Sequence, residues 1–134
     1  MKSRDAALRL KRFDVAEKRR KATDIEMMIR DFEVMASDLD RQITTEEDRT
    51  GVRDIAHFAY STFAKAARQR RDNLRTSIDD LMLKLANARG QLEESLAELA
   101  RLEAVDDRDQ GRRTERPSTA RFPGASASRL PHRT

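Results

Sequence analysis

Two histidines, His57 and His132, are the side chains of this sequence best suited to acid–base chemistry or metal binding near neutral pH. Neither has a second histidine at helical spacing, and the absence of cysteine excludes disulfides and thiolate metal sites. The sequence also lacks a phosphate-binding glycine loop, a G-x-S-x-G motif and an H-E-x-x-H motif. Its many carboxylates fall on predicted solvated helix faces rather than in a pocket. We therefore expect no catalytic residue, no metal site and no cofactor, and predict that the chain is not an enzyme.

Two basic runs, Lys18-Arg19-Arg20-Lys21 and Arg68-Gln69-Arg70-Arg71, carry enough charge to bind phosphate groups. A solvated face, or pairing with acidic segments of the same chain, explains them better, and no aromatic residue interleaves the first run as single-strand binding requires. The net charge is +4, of which residues 1–105 contribute +1 and residues 106–134 contribute +3. We do not expect the folded part to bind nucleic acid. A nucleic-acid or acidic-surface binder acting through the basic tail stays an alternative.

Apolar residues recur with a seven-residue period over two long stretches. With Leu8 at position a, nine of twelve a and d positions are apolar in the first stretch, and eleven of thirteen are apolar in the second. This pattern is typical of a coiled-coil seam, and the second stretch is the stronger one. The apolar seam positions are Leu8, Val15, Ala22, Ile25, Ile29, Phe32, Ala36, Leu39 and Ile43, and then Tyr60, Ala64, Ala67, Leu74, Ile78, Leu81, Leu85, Ala88, Leu92, Leu99 and Leu102.

The segment 48–54 holds the only glycine before Gly90 and lies between the two heptad stretches. Glycine just past a periodic run ends a helix, because it adopts the left-handed conformation without a Cβ clash. We predict a bend here that folds the two helices into an antiparallel hairpin. Facing core positions then have residue numbers that add up to 106 or 107. The predicted neighbours include Phe32 and Leu74, Lys11 and Ser95, Arg71 and Ala36, and Glu46 and Tyr60.

The charge pattern tests this orientation independently. Residues 2–21 carry +6 and residues 22–48 carry −7, whereas residues 58–78 carry +4 and residues 79–105 carry −3. Antiparallel folding places each block beside one of opposite sign, and a parallel in-register homodimer would place each block beside its own copy. Complementary blocks decide orientation even though single surface pairs contribute little.

These patterns predict an all-α chain, an antiparallel two-helix coiled-coil hairpin with a disordered C-terminal tail. The hairpin covers residues 1–105, with one helix over about 3–48, the bend over about 49–57 and a second helix over about 58–105. Residues 106–134 are rich in Arg, Ser and Pro with few large apolar residues, which predicts disorder. The charged N-terminus and the absence of a long apolar run predict a soluble, cytoplasmic protein.

Several residues outside the seam are candidates for binding partners. Phe13, Met27 and Val34 lie on the face of the first helix opposite its seam, where a lone hairpin needs polar residues, and Leu10 lies beside them. Isolated exposed apolar residues are common, so a merely exposed face stays an alternative. Aromatic residues near the bend either stabilise it or form a second contact surface. The candidate partner-binding residues are Leu10, Phe13, Met27, Val34, Tyr60, Phe63, Arg68 and Arg70.

Three segments resemble a known family. They are the opening residues 2–13 (KSRDAALRLKRF), residues 57–64 (HFAYSTFA) and residues 69–74 (QRRDNL). They are similar to the FliJ family of flagellar type III export proteins, in the form found in alphaproteobacteria. The resemblance covers residues 1–105 and leaves the tail outside.

The resemblance implies a stalk-like antiparallel coiled coil, similar to the rotor stalk of rotary ATPases, in the cytoplasm at the base of the flagellum. Family members promote assembly and activity of the hexameric export ATPase, contact the cytoplasmic domain of the export gate and handle export chaperones. By analogy, Leu10 and Phe13 would enter the ATPase ring, and Tyr60, Phe63, Arg68 and Arg70 would lie nearer the gate. A generic coiled-coil scaffold or adaptor is the alternative.

Overall fold

The computed structural model describes the backbone of residues 2–129 and the side chains of residues 3–111. It consists of two helices, α1 (Lys2–Thr50) and α2 (Thr62–Arg129), which pack against each other in antiparallel orientation. No strand occurs in this range of residues. The all-α antiparallel hairpin predicted from the heptad pattern is therefore confirmed.

Local hydrogen bonds define both ends of the bend. Gly51 has a φ of 75°, and its N–H donates to the carbonyl of Glu47 at 2.8 Å, which is the left-handed cap expected of glycine. Ser61 caps α2, because its hydroxyl accepts the N–H of Ala64 at 3.1 Å. The predicted bend over 49–57 is therefore displaced: α1 continues to Thr50, and α2 begins at Thr62 rather than near residue 58.

The chain divides into two compact units, of which the larger comprises residues 16–92 and includes the bend. Its apolar core forms two clusters, and every member is a predicted seam position. Arg71 occupies a seam position between the two clusters. Its side chain is only 15% exposed and donates a hydrogen bond to Asp40 at 3.0 Å. The first cluster contains Ala22, Ile25, Ile29, Ile78, Leu85 and Ala88 with Phe32 and Leu81 packed against it; the second contains Leu39, Ile43 and Ala67 with Leu74 packed against it.

Ion pairs across the helices reveal the true register of this unit. Glu26 pairs with Arg89 at 2.7 Å, Asp40 with Arg75 at 3.1 Å and Glu47 with Arg68 at 2.9 Å, and the residue numbers add up to 115 in each pair. All six residues occupy heptad position e, which follows position d by one residue and position a by four. When an a position of one helix faces a d position of the other, their residue numbers therefore add up to about 110, five less than for the e positions. The observed register differs from the predicted sum of 106 or 107 by roughly one helical turn.

The predicted contact of Phe32 with Leu74 is accordingly wrong, since these residues pack against different clusters. Arg71 binds Asp40 rather than lying simply against Ala36. The bend explains the shift. The predicted helix ends, 48 and 58, add up to 106, whereas the observed ends, Thr50 and Thr62, add up to 112.

The second unit comprises Met1–Val15 and Glu93–Thr134. Leu8 and Val15 are buried seam residues, and Ser95 is fully buried. The predicted pair of Lys11 with Ser95 is replaced by two others. Lys11 donates to Glu98 at 2.9 Å, and the Ser95 hydroxyl donates to Asp14 at 2.8 Å.

α2 also continues past the predicted boundary at residue 105. Asp109 forms an ion pair with Arg4, and Gln110 donates to Asp106 at 3.3 Å. These contacts hold residues 106–111 in the second unit. The backbone of α2 continues as a helix through residues 112–129, where the sequence predicts disorder, and the side chains there lie outside those described. Residues 130–134 lie outside the described residues, so disorder there stays a prediction. No helix in the described part is long and apolar enough to span a membrane.

Replacing Gly51 by alanine tests the bend, and replacing Gly90, which lies inside α2, provides the comparison. The two changes are expected to shift the free energy of unfolding in opposite directions. Gly51→Ala places a Cβ on a left-handed residue and should lower the free energy of unfolding by about 1 kcal/mol. Gly90 lies inside α2 with open space around the position of a Cβ, so Gly90→Ala should raise it by about 0.5–1 kcal/mol. Urea unfolding followed by circular dichroism measures both, and equal effects of the two changes would contradict the left-handed cap.

Candidate partner-binding surfaces

Leu10 and Phe13 are exposed on α1 in the smaller unit. Leu10 is 71% exposed and Phe13 is 64% exposed, whereas the seam residues Leu8 and Val15 are buried. Both side chains therefore point away from the seam, as the heptad pattern predicts. An exposed phenylalanine with no packing role in the hairpin is the feature expected of a contact surface.

A second group of exposed apolar residues lies on α1 in the larger unit. Met27, Met28, Val34 and Met35 are about half exposed, at 51%, 43%, 62% and 49%. They occupy heptad positions f and g over two successive heptads and form one stripe, which we call the Met27–Met35 patch. Three of the four are methionines, whose flexible thioether side chains adapt to varied contacts.

The bend is closed by three polar side chains, Glu47, Tyr60 and Arg68, of which Arg68 is only partly buried. The Tyr60 hydroxyl donates to Glu47 at 2.7 Å, and Arg68 donates to Glu47 Oε2 at 2.9 Å and to the Tyr60 oxygen at 2.8 Å. The Arg68 guanidinium carbon also lies 5.9 Å from the centre of the Tyr60 ring. Glu47 and Tyr60 are both buried. We call these three residues the bend triad.

The triad changes the acidity of its members. The hydrogen bond from Arg68, and then that from Tyr60, lowers the pKa of Glu47 below its ordinary value, because both donors favour the carboxylate. Burial, together with the hydrogen bond to Glu47, raises the pKa of Tyr60. Glu47 is thus held as a carboxylate inside the bend, between one cationic and one neutral donor.

This arrangement revises the prediction for the bend residues. Tyr60 and Arg68, predicted to bind partners, are engaged within the chain, whereas Phe63 is 56% exposed and Arg70 is exposed. The predicted neighbour of Tyr60 was Glu46, but Glu46 accepts a hydrogen bond from Ser61 at 2.9 Å instead. The bend triad therefore stabilises the bend, and the surface available to a partner lies on other residues.

Phe58, one of the aromatic residues near the bend, is the most exposed apolar side chain there, at 96%. Its ring stacks on that of His57, with the centroids 4.7 Å apart. The His57 Nδ1 accepts the N–H of Ala59 at 3.0 Å, so this histidine orders the bend as a polar residue.

The basic runs are partly neutralised within the chain. Arg20 pairs with Glu17, Arg68 with Glu47, and Arg71 with Asp40 and Asp72. This agrees with the interpretation that the runs pair with acids of the same chain. Among the described residues, no group of His, Asp and Glu is arranged to hold a metal ion. His132 lies outside the described residues.

No protein-family model matches the chain, and neither a curated protein nor a solved structure matches it. The structure defines its class as an antiparallel helical hairpin with apolar patches on its outer surface. Its function therefore has to be argued from those surfaces and from the sequence resemblance.

Removing the Tyr60 hydroxyl tests the bend triad. Tyr60→Phe keeps the buried ring but removes one donor from Glu47 and one acceptor from Arg68, so the free energy of unfolding should fall by about 1 kcal/mol. Phe58→Leu is the matched control, because that side chain is almost fully exposed and should change stability little. Equal stabilities of wild type and Tyr60→Phe would show that the triad does not hold the bend.

The acidity of Glu47 gives the triad a pH signature. The pKa of Glu47 is lower in the folded chain than in the unfolded chain. The contribution of Glu47 to the free energy of unfolding is therefore fully present above its unfolded pKa, about 4.3, and is lost as the pH falls through its folded pKa. Wild type should therefore exceed Glu47→Gln in stability at pH 7, and the difference should shrink below about pH 4. Chemical unfolding at successive pH values measures this, with Glu33→Gln, on an exposed face, as the control. A difference independent of pH would contradict the assignment.

Proposed function

We propose that this chain is a non-enzymatic component of the flagellar type III protein export apparatus. It acts as a stalk-like coiled coil that promotes assembly and activity of the export ATPase hexamer and links it to the export gate and to chaperones. Its place is the cytoplasmic side of the inner membrane, at the export apparatus. The observation that carries the proposal is the exposure of Leu10 and Phe13, since both belong to the opening segment that resembles the FliJ family.

The proposal assigns Leu10 and Phe13 to the ATPase ring. Both side chains are available to a partner, because the seam beside them is filled by Leu8 and Val15. Basic residues Arg9 and Arg12 lie on exposed positions of the same helix, and Arg12 pairs with Glu103 at 3.3 Å. An apolar anchor surrounded by bases suits a protein surface with an apolar pocket and an acidic rim.

The bend residues are assigned to the gate. Phe58, Phe63 and Arg70 present exposed side chains there, and the bend triad keeps the backbone that carries them in place. Tyr60 and Arg68 are given a supporting role in this proposal, because their polar groups are already bonded to Glu47. The fold-level likeness to a rotor stalk is an analogy and adds no specific contact.

The direct test is ATP hydrolysis by the cognate export ATPase with and without this protein. Wild type should raise the rate and the hexamer fraction. Phe13→Asp should abolish most of the stimulation, because it puts a charge into the proposed apolar contact without touching the seam. Ala16→Asp is the control for an added charge on an exposed position of the same helix. Circular dichroism should show the same helicity for all three.

A truncation after residue 111 locates the activity. It keeps the Arg4–Asp109 ion pair and removes only residues beyond the described side chains. Stimulation retained by this truncation would support the hairpin as the active part. Stimulation lost with the tail, together with salt-sensitive binding to DNA or RNA, would favour the basic-tail alternative. No binding to the ATPase by any form would leave a generic scaffold as the better description.

A further inference from the structure

We infer that the smaller unit is an electrostatic clasp, which a rise in ionic strength opens while the larger unit stays folded. The inference concerns the contacts between the two described helical segments of this unit, residues 3–15 of α1 and residues 93–111 of α2. Few buried apolar side chains lie between these segments, and three ion pairs cross from one to the other. The inference is independent of the export role.

The apolar core of the smaller unit is thin. Both apolar clusters found among the described side chains belong to the larger unit. In the described part of the smaller unit, Leu8 and Val15 of α1 are the buried apolar residues. On α2 the seam residues Leu99 and Leu102 are only half-buried, and the buried side chain is that of Ser95. Because stabilisation by burial is roughly proportional to the apolar area removed from water, this unit gains less from its seam than the larger unit does.

Ion pairs join the two segments of the smaller unit where the apolar core is thin. Three pairs cross from α1 to α2, so separating the segments breaks all three together. They are Arg4–Asp109, Lys11–Glu98 at 2.9 Å and Arg12–Glu103 at 3.3 Å. The six side chains are between 24% and 55% exposed, so water and ions reach every pair. Salt weakens such pairs, since the Debye length falls from about 10 Å at 0.1 M to about 3 Å at 1 M.

The larger unit is less dependent on charge. Its exposed cross-helix pairs, Glu26–Arg89 and Asp40–Arg75, flank a seam that contains the two apolar clusters. Screening weakens these pairs too, but the burial of the clusters does not depend on charge. A rise in ionic strength should therefore open the smaller unit first. Opening uncovers Leu8 and Val15, so the clasp controls whether these seam residues are accessible.

Hydrogen exchange of the full chain at two salt concentrations tests the inference. Local opening exposes the backbone amides of one unit to exchange, because helical segments of about 15 residues are only marginally stable once they are separated. When sodium chloride is raised from about 0.1 M to about 1 M, the amides of residues 6–15 and 96–105 should exchange about tenfold faster, relative to an unstructured peptide. Those of residues 25–43 and 67–88 should change less than about twofold. Equal responses of the two units, or no response of the smaller unit, would overturn the inference.

An exchange of charges separates the ion pairs from other effects of salt. Glu103→Arg sets two cations against each other, so the smaller unit should exchange about fivefold faster than wild type at about 0.1 M salt. Adding Arg12→Glu forms the pair with reversed charges and should return the exchange rate to near that of wild type. Glu94→Arg is the matched control, because this exposed residue of the same unit forms no ion pair among the described side chains. A double variant that exchanges as fast as Glu103→Arg, or a control that does so, would contradict the clasp.

Replacing Lys11 tests whether the thin apolar core makes the unit sensitive to salt. Lys11 occupies a d position of the seam and its side chain is 25% exposed, so Lys11→Leu adds apolar area between the segments although it removes the pair with Glu98. The smaller unit of this variant should exchange about tenfold more slowly than wild type and should respond less to salt. Exchange as fast as in wild type would contradict the inference. Because these readouts use the isolated chain, their failure would leave the export proposal untouched, and loss of ATPase stimulation would leave the clasp untouched.

Discussion

The pairing of the two helices around the bend depends on one buried carboxylate, Glu47. It lies in the last turn of α1 and is bonded to Tyr60, just before α2, and to Arg68 in the second turn of α2. A carboxylate that is buried without its partners loses hydration and gains nothing in return. Sliding one helix by a turn would separate Glu47 from Arg68, so the triad penalises every register but the observed one. The apolar seam cannot make this choice alone, because a heptad pattern fits equally well after a shift of one repeat.

The rest of the seam is consistent with that choice. Once Glu47 meets Arg68, Asp40 meets Arg75 and Glu26 meets Arg89 on the same flank of the larger unit. These two pairs are exposed, and each adds little to stability. Their value is in specificity, because a shift of one helix along the other would separate both pairs. Arg71 adds a further constraint, since a cation within the seam is tolerated only where Asp40 is close enough to bond it.

The sequence predicted which residues are buried, but it did not predict which residues meet. Burial follows from the seven-residue period, a property of each helix alone, and the buried apolar residues of both clusters are all seam positions. Register depends on where the helices end, and the heptad pattern does not fix those ends. Ser61 caps α2, a few residues later than the predicted start. Neighbouring helix residues point about 100° apart, so this small shift replaced Glu46 by Glu47 as the partner of Tyr60. Aligning opposite charges at the e positions would have found the register.

The outer face of α1 carries side chains that the hairpin does not need. Helix propensity gives no reason for Phe13 or Val34, because alanine, glutamate or lysine would serve an exposed helical position better. The exposure of both residues is the observation on which the proposed partner contacts rest. The two sites differ in chemistry: Leu10 and Phe13 offer an aromatic anchor among bases, whereas the Met27–Met35 patch is adaptable and has balanced charges at its centre.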